Sequence, residues 1–206
     1  MRTIFTAFLL VTCRIIFGQE PNKDFRIFSN VLQNIDISHP RANIGIEKDF
    51  KNNQSLSFGI GMYYRNWMYN EPTNGMNLSF EYKKFKNDRI YFALGLTGGK
   101  LKYSTSSEFY LGDKKTTDST YFEKHKIDKI LGDLYLNVGL RKNIGSKFYL
   151  DTFAGIGLRY KEVNHVGISR PEDEYKGGFY LVNIRDNPKQ SFVPIIKFGL
   201  VIGLTL

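Results

Sequence analysis

The chain has 206 residues with a formal net charge of +9, which is one domain or two very small ones. Charged residues at 24% and aromatics at 15% exclude a disordered chain, and a single Cys excludes a disulfide framework or a multi-thiolate metal site. A mean hydropathy of −0.31 excludes a bundle of membrane helices but not a membrane β-barrel, whose alternating strands average to a polar value.

Residues 1–19 read as a secretory leader. Arg2 gives a positive start, Thr3–Thr12 is an apolar run too short to span a bilayer, and Gly18-Gln19-Glu20-Pro21 returns to polar sequence. Leu10-Val11-Thr12-Cys13 invites comparison with a lipobox, in which Cys13 would carry lipid. Thr12 is larger than the residue usual before such a Cys, and the apolar Arg14-Ile15-Ile16-Phe17 is no tether. Cys13 is therefore read as a small hydrophobe inside the leader.

The remaining chain, 24–206, is one unit. Asp24–Ile35 is a candidate first strand with imperfect alternation, followed by an outer loop at Ser38-His39-Pro40-Arg41 and a strand over Ala42–Phe50. A short turn at 51–54 leads into Ser55–Tyr64, where Leu56, Phe58, Ile60, Met62 and Tyr64 alternate with Ser55, Ser57, Gly59, Gly61, Tyr63 and Arg65. A loop at 68–75 precedes the strand of Met76, Leu78, Phe80 and Tyr82, whose other face holds Glu81 and Lys83. A turn at 87–89 opens the strand of Ile90, Phe92, Leu94 and Leu96 against Tyr91, Ala93, Gly95 and Thr97. After a long loop at 104–126, Leu134, Leu136, Val138 and Leu140 alternate with Asp133, Tyr135, Asn137, Gly139 and Arg141. A turn at 143–146 leads to Phe148, Leu150, Ala154, Ile156 and Leu158, opposed by Tyr149, Asp151, Gly155, Gly157 and Arg159. A second long loop at 163–190 precedes Ile196, Phe198, Leu200, Ile202, Leu204 and Leu206, opposed by Lys197, Gly199 and Gly203.

Turns this short force antiparallel neighbours, and two termini on one side require an even strand number. The expected fold is all-β: an eight-stranded antiparallel up-and-down barrel. A water-facing strand surface has no need of glycine, which weakens strands. A narrow interior does, because small residues leave room for neighbouring Arg, Lys and Tyr. The apolar face is therefore expected in lipid and the glycine-plus-charge face in the lumen, with Glu47, Arg65, Glu81, Lys83, Asp133, Arg141, Asp151, Arg159 and Lys197 forming ion pairs. Aromatics near strand ends suggest two belts at headgroup level. Tyr63, Tyr64, Trp67, Tyr69, Tyr103 and Tyr160 fall toward one rim, and Phe50, Tyr82, Phe85, Tyr91, Phe148 and Tyr149 toward the other. A soluble ligand-binding barrel reverses the faces and puts Leu56, Phe58 and Ile60 inside.

The hairpin IGIEKDFKNNQSLSFGIGMYY (44–64), FAGIGLRYKEVNH (153–165) and the closing IIKFGLVIGLTL (195–206) together resemble small bacterial outer-membrane β-barrels of the OmpA transmembrane-domain and OmpX type. The likeness covers about residues 24–206 and carries no catalytic motif. Leu206 stands where that class usually ends on an aromatic. The resemblance implies a monomer in the cell outer membrane of a Gram-negative bacterium. Its partners would be lipopolysaccharide and phospholipid, with the barrel-assembly machinery reading the last strand.

Some barrels of this kind modify lipid A with rim Ser, His and carboxylate groups. Here His39, His125 and His165 fall in or beside the expected outer loops, with Ser119, Ser169 and Glu172-Asp173-Glu174 nearby in sequence. No spacing among them defines a triad, which is a matter of geometry. Gly98-Gly99-Lys100 lacks the spacing of a phosphate loop, and nothing suits nucleic acid. The loops at 104–126 and 163–190 each balance acids against bases, so the basic excess belongs to the barrel and its rims, where it can meet anionic headgroups. The function expected is non-enzymatic, without cofactor or metal: a structural or surface-contact role.

Overall fold

A computed structural model of the chain describes residues 25–31, 41–66, 71–112, 119–170, 173, 175–176 and 189–206. The leader with Cys13, and His39 and Pro40 of the first expected loop, lie outside the described residues. Eight strands run in chain order around a closed barrel: β1 (Phe25–Asn30), β2 (Arg41–Phe50), β3 (Gln54–Asn66), β4 (Glu71–Phe85), β5 (Ile90–Tyr110), β6 (Thr120–Ile144), β7 (Phe148–Val166) and β8 (Lys189–Thr205). Each pairs antiparallel with its chain neighbours, and β1 closes on β8 through Arg26↔Thr205 to Asn30↔Val201. The expected all-β, eight-stranded antiparallel barrel is the observed one.

The three short turns lie at one end, with β1 starting and β8 finishing beside them. Asn52 and Asn53 of the first turn hold φ of 70° and 57°. Asn is among the few side chains that enter this left-handed region readily, so the tight reversal is encoded locally.

At the other end the expected loops prove too long. Most of 104–126 is strand, since β5 continues to Tyr110 and β6 begins at Thr120. β7 likewise runs on to Val166, and β4 begins at Glu71 within the expected 68–75 loop. Arg41, expected in a loop, opens β2 and is buried. The reason is visible along β5. Its alternation never breaks phase, but its polarity inverts near Gly98. Below that point Ile90, Phe92, Leu94 and Leu96 point out, and Tyr91, Ala93 and Thr97 point in. Above it Lys100, Lys102, Ser104 and Ser106 point out, and Leu101, Tyr103 and Phe109 point in. β6 inverts in the same way: Leu134, Leu136, Val138 and Leu140 point out on one stretch, and Leu131 and Ile127 point in on the next. The barrel thus has two storeys. The turn-side storey is apolar outside and polar inside, whereas the loop-side storey is mostly polar outside around a core of Tyr63, Leu101, Tyr103, Ile127, Leu131 and Val163.

Interior glycines sit opposite interior rings. Gly95 is the direct cross-strand partner of Tyr135, and Gly139 of Tyr91. At both positions a β-carbon would overlap the facing ring, so glycine lets the ring lie flat on the sheet. The same direct pairing joins Phe28 to Gly45, Phe153 to Gly199 and Tyr149 to Gly203.

Candidate functional site

The turn-side interior is filled by a charge network that bridges non-adjacent strands. Glu47 of β2, fully buried, receives Arg141 of β6 at 2.5 and 3.0 Å, Lys83 of β4 at 2.7 Å and Arg26 of β1 at 3.2 Å. Asp151 of β7 accepts from Arg141 at 2.8 Å and from Lys83 at 3.2 Å. Arg26 also meets the Asp49 carboxylate at 2.5 Å, and Glu81 lies 3.6 Å from Lys83. β2 and β6 stand on opposite sides of the barrel, so the Glu47–Arg141 fork spans its width. Rings enclose the cations: Arg141 lies 4.6 Å from the Tyr149 ring centre and 4.9 Å from that of Phe85, and Lys83 lies 5.0 Å from that of Tyr91.

A second layer lies toward the loops. Arg159 donates to Asp133 side-on at 2.7 and 2.9 Å, and Asn137 donates to Glu81 at 3.0 Å. The Lys197 ammonium stands 3.2 Å over the Tyr135 ring centre. Between the layers a cavity of about 50 Å³, bounded by Ser79, Glu81, Thr97, Tyr135 and Lys197, has room for about three waters.

Of the nine charges expected in the lumen, eight lie within these two layers. Arg65 does not: the β3–β4 register shifts between Tyr63 and Arg65, and Arg65 emerges exposed. Arg26 and Asp49 were not among the expected residues, although both join the network. Arg26 sits on the strand with the poorest alternation, and Asp49 on the inward parity of its own strand. Three more interior cations, Arg41, Lys129 and Lys161, share that inward parity in the loop-side storey. Burial, with Lys161 and Arg159 close by, holds the Lys129 ammonium well below the ordinary lysine range.

The belts need correction. Tyr64 and Phe148 are exposed on the outer surface, and the half-buried Phe50, Tyr82 and Tyr160 share its parity. Tyr160 packs on Phe192 at 5.4 Å. Tyr63, Tyr103, Phe85, Tyr91 and Tyr149 instead turn inward, because strand parity overrides nearness to a strand end. Trp67 and Tyr69 lie outside the described residues.

At the loop-end rim the structure brings His125 and His165 together, with ring centres 4.6 Å apart. Phe109 packs on His125 at 5.4 Å, and Tyr175 on His165 at 5.0 Å. Beside them a cavity of about 390 Å³ is bounded by Phe109, Val163, His165, Asp173, Tyr175 and Gln190. Ser169 donates its hydroxyl and, at 2.8 Å, its amide to Glu123, and these bonds hold the Glu123 carboxyl below its ordinary range. His125 Nδ1 faces the Glu123 carbonyl oxygen at 3.2 Å. The Ser169 hydroxyl is thus paired with the Glu123 carboxylate, while the His125 ring is directed to a backbone carbonyl and not to the serine. Ser119 is exposed at the tip; His39, Glu172 and Glu174 lie outside the described residues. No group of three or more metal-ligating side chains occurs among the described residues.

Comparison of the chain with protein-family models, with curated proteins and with solved structures gives no match.

Proposed function

We propose that this chain is a bacterial outer-membrane β-barrel with a closed lumen and a non-enzymatic role in membrane integrity or surface contact. The observation that carries the reading is the belt of outward apolar side chains wrapped around a charged interior. Outward positions are apolar along Leu134–Leu140 with Ile144 in β6, and along most of Phe148–Leu158 in β7. A tilted strand crosses a bilayer in about 9–11 residues, which these stretches match. Ile156, Ile196 and Phe198 are each about two-thirds exposed or more, at 67%, 73% and 68%. A continuous apolar surface of that extent marks a membrane or a partner.

Fixed ion pairs hold the barrel rigid in this reading, and the loop-side storey presents a surface outside the cell. β8 would be the strand read by the assembly machinery, and the molecule would be a monomer among lipopolysaccharide and phospholipid. A soluble ligand-binding barrel needs Leu56, Phe58 and Ile60 around a cavity, but Phe58 and Ile60 are exposed on the outside. A lipid-modifying enzyme draws no support from a serine held by Glu123.

The test is the gel mobility of the detergent-solubilised outer-membrane fraction, boiled against unboiled. A heat-dependent shift in that fraction is the expected result. Recovery in the soluble periplasm without a shift would overturn the membrane reading.

A further inference from the structure

The loop-side storey is not charged evenly around its outside. Lys100 and Lys102 on β5 and Lys124 and Lys126 on β6 all point outward and are exposed. The register sets them on one ribbon face, with Lys100 opposite Ile130, Lys102 opposite Asp128, Lys126 opposite Ser104 and Lys124 opposite Ser106. Asp128 is the acid within this ladder, and it pairs with Lys102 at 3.0 Å. Outward positions at comparable height elsewhere carry no lysine: Pro72 and Asn74 on β4, Glu162, Asn164 and Val166 on β7, Gln190 and Phe192 on β8. Arg65, exposed on β3 opposite Pro72, is a single cation at this height, so the lysine ladder belongs to one sector of the barrel.

Its position relative to the apolar belt is equally specific. Lys100 follows Leu96 and Gly98 on the outward parity, so it is the first charge above the belt on β5. From Lys100 to the level of Lys124, opposite Ser106, the ribbon climbs six residues. At about 3.4 Å per residue and a tilt near 40°, that is a rise of roughly 15 Å. A bilayer's polar layer beyond the hydrocarbon is only about 5–8 Å thick on each side. A phospholipid, with its phosphate at a single depth, can meet the bottom of this ladder but not its top. A lipid with phosphates on a bulky sugar headgroup reaches further outward and can meet more rungs.

We infer that the outer face of β5–β6 docks a phosphorylated glycolipid of the surrounding leaflet through Lys100, Lys102, Lys124 and Lys126. The inference rests on the membrane reading above and names the lipid partner and the sector that holds it. Lysine serves here as a long, mobile point charge, suited to phosphates whose spacing varies from molecule to molecule.

The test uses the full chain folded in zwitterionic detergent micelles, titrated with a fluorescent diphosphorylated glycolipid. The variant is K100Q/K102Q/K124Q/K126Q. Its control, K51Q/K86Q/K142Q/K147Q, removes the same charge from exposed lysines at the turn end. Each lysine near a charged surface is worth about fivefold in affinity, so the ladder variant is expected to bind at least about tenfold more weakly even when salt screens part of the effect. The control variant should bind like the parent. The dephosphorylated glycolipid should bind poorly, and neither an anionic phospholipid nor inorganic phosphate should compete well. Equal binding by the ladder variant, or equal binding of the dephosphorylated lipid, overturns the inference. Equal competition by the phospholipid overturns the glycolipid assignment, and by inorganic phosphate the lipid assignment. Gel mobility of every variant, boiled and unboiled, is read in parallel. A heat shift without phosphate preference sinks only the lysine ladder, whereas no shift sinks the membrane reading beneath it.

Discussion

Arg141 is the residue on which the interior depends most. It bridges Glu47 and Asp151, both fully buried, and removing it leaves two carboxylates with Lys83 as their main remaining cation. Arg141→Ala is expected to cost about 3–5 kcal/mol, the usual penalty for stranding a buried charge. The urea midpoint of the micelle-folded barrel measures it. The pair Glu47→Gln with Arg141→Met removes charge of both signs and should cost clearly less than the sum of the two single changes. Lys129 gives a pH signature at the same scale. Its folded-state value is depressed, so below 10.5 the unfolded chain takes up the proton that the folded chain resists. Stability should therefore rise with pH as it approaches 10.5 from the folded value, and Lys129→Met should flatten that rise in the pH dependence of the midpoint. An unchanged slope would mean that Lys129 is charged in the folded barrel.

At the scale of the element, the rim segment after β7 is tied down by Glu123 on β6. Since Ser169 holds that carboxyl low, the contact is complete above the ordinary carboxylate value and is lost as pH falls through the lowered one. Protection of the Ser169 amide against exchange, taken relative to its intrinsic rate at each pH, should fall at acid pH, and Glu123→Gln should remove the acid-dependent part of that change. Strand parity was legible in the sequence along most of the turn-side storey from β2 onward, and with it most of the side chains that face in. Strand length was not. Residues 104–110 and 120–126 look like loop because Ser, Thr, Lys and Asp crowd them, yet Tyr103, Phe109, His125 and Ile127 keep the inward phase. A rule that equates the apolar face with the outside stops reading where the surroundings change. The same limit hid Lys129, Lys161 and the His125–His165 contact, which lie in the loop-side storey above the polarity inversion. Arg65 was misplaced for a different reason: a register shift beside it swaps the faces, and no single-strand pattern announces it.

For the whole molecule, two charge layers with a cavity of about 50 Å³ between them are expected to act as a stopper and not a pore. Purified protein in a planar bilayer is expected to show no steady ionic current. Sustained current steps would mean that Glu47, Lys83, Arg141 and Asp151 exchange partners on the recording timescale. Eight strands give a bore that side chains alone can fill. The glycine–ring pairs show how it is filled, and Gly139→Leu should abolish the heat-dependent gel shift by driving Tyr91 off the sheet.

The continuity of β5, β6 and β7 through the polarity inversion has a mechanical meaning. No turn or break falls between the apolar storey and the tip, and β6 is paired on both sides from Lys126 to Leu140. Above Asp133 the ribbon extends about 13 residues to Thr120, a height of roughly 30 Å at ordinary rise and tilt. It therefore works as a pedestal without a hinge. On the membrane reading proposed above, whatever the tip displays is held at a set stand-off from the bilayer, and lengthening or shortening β5 and β6 together by pairs of residues should move that display outward or inward like marks on a ruler.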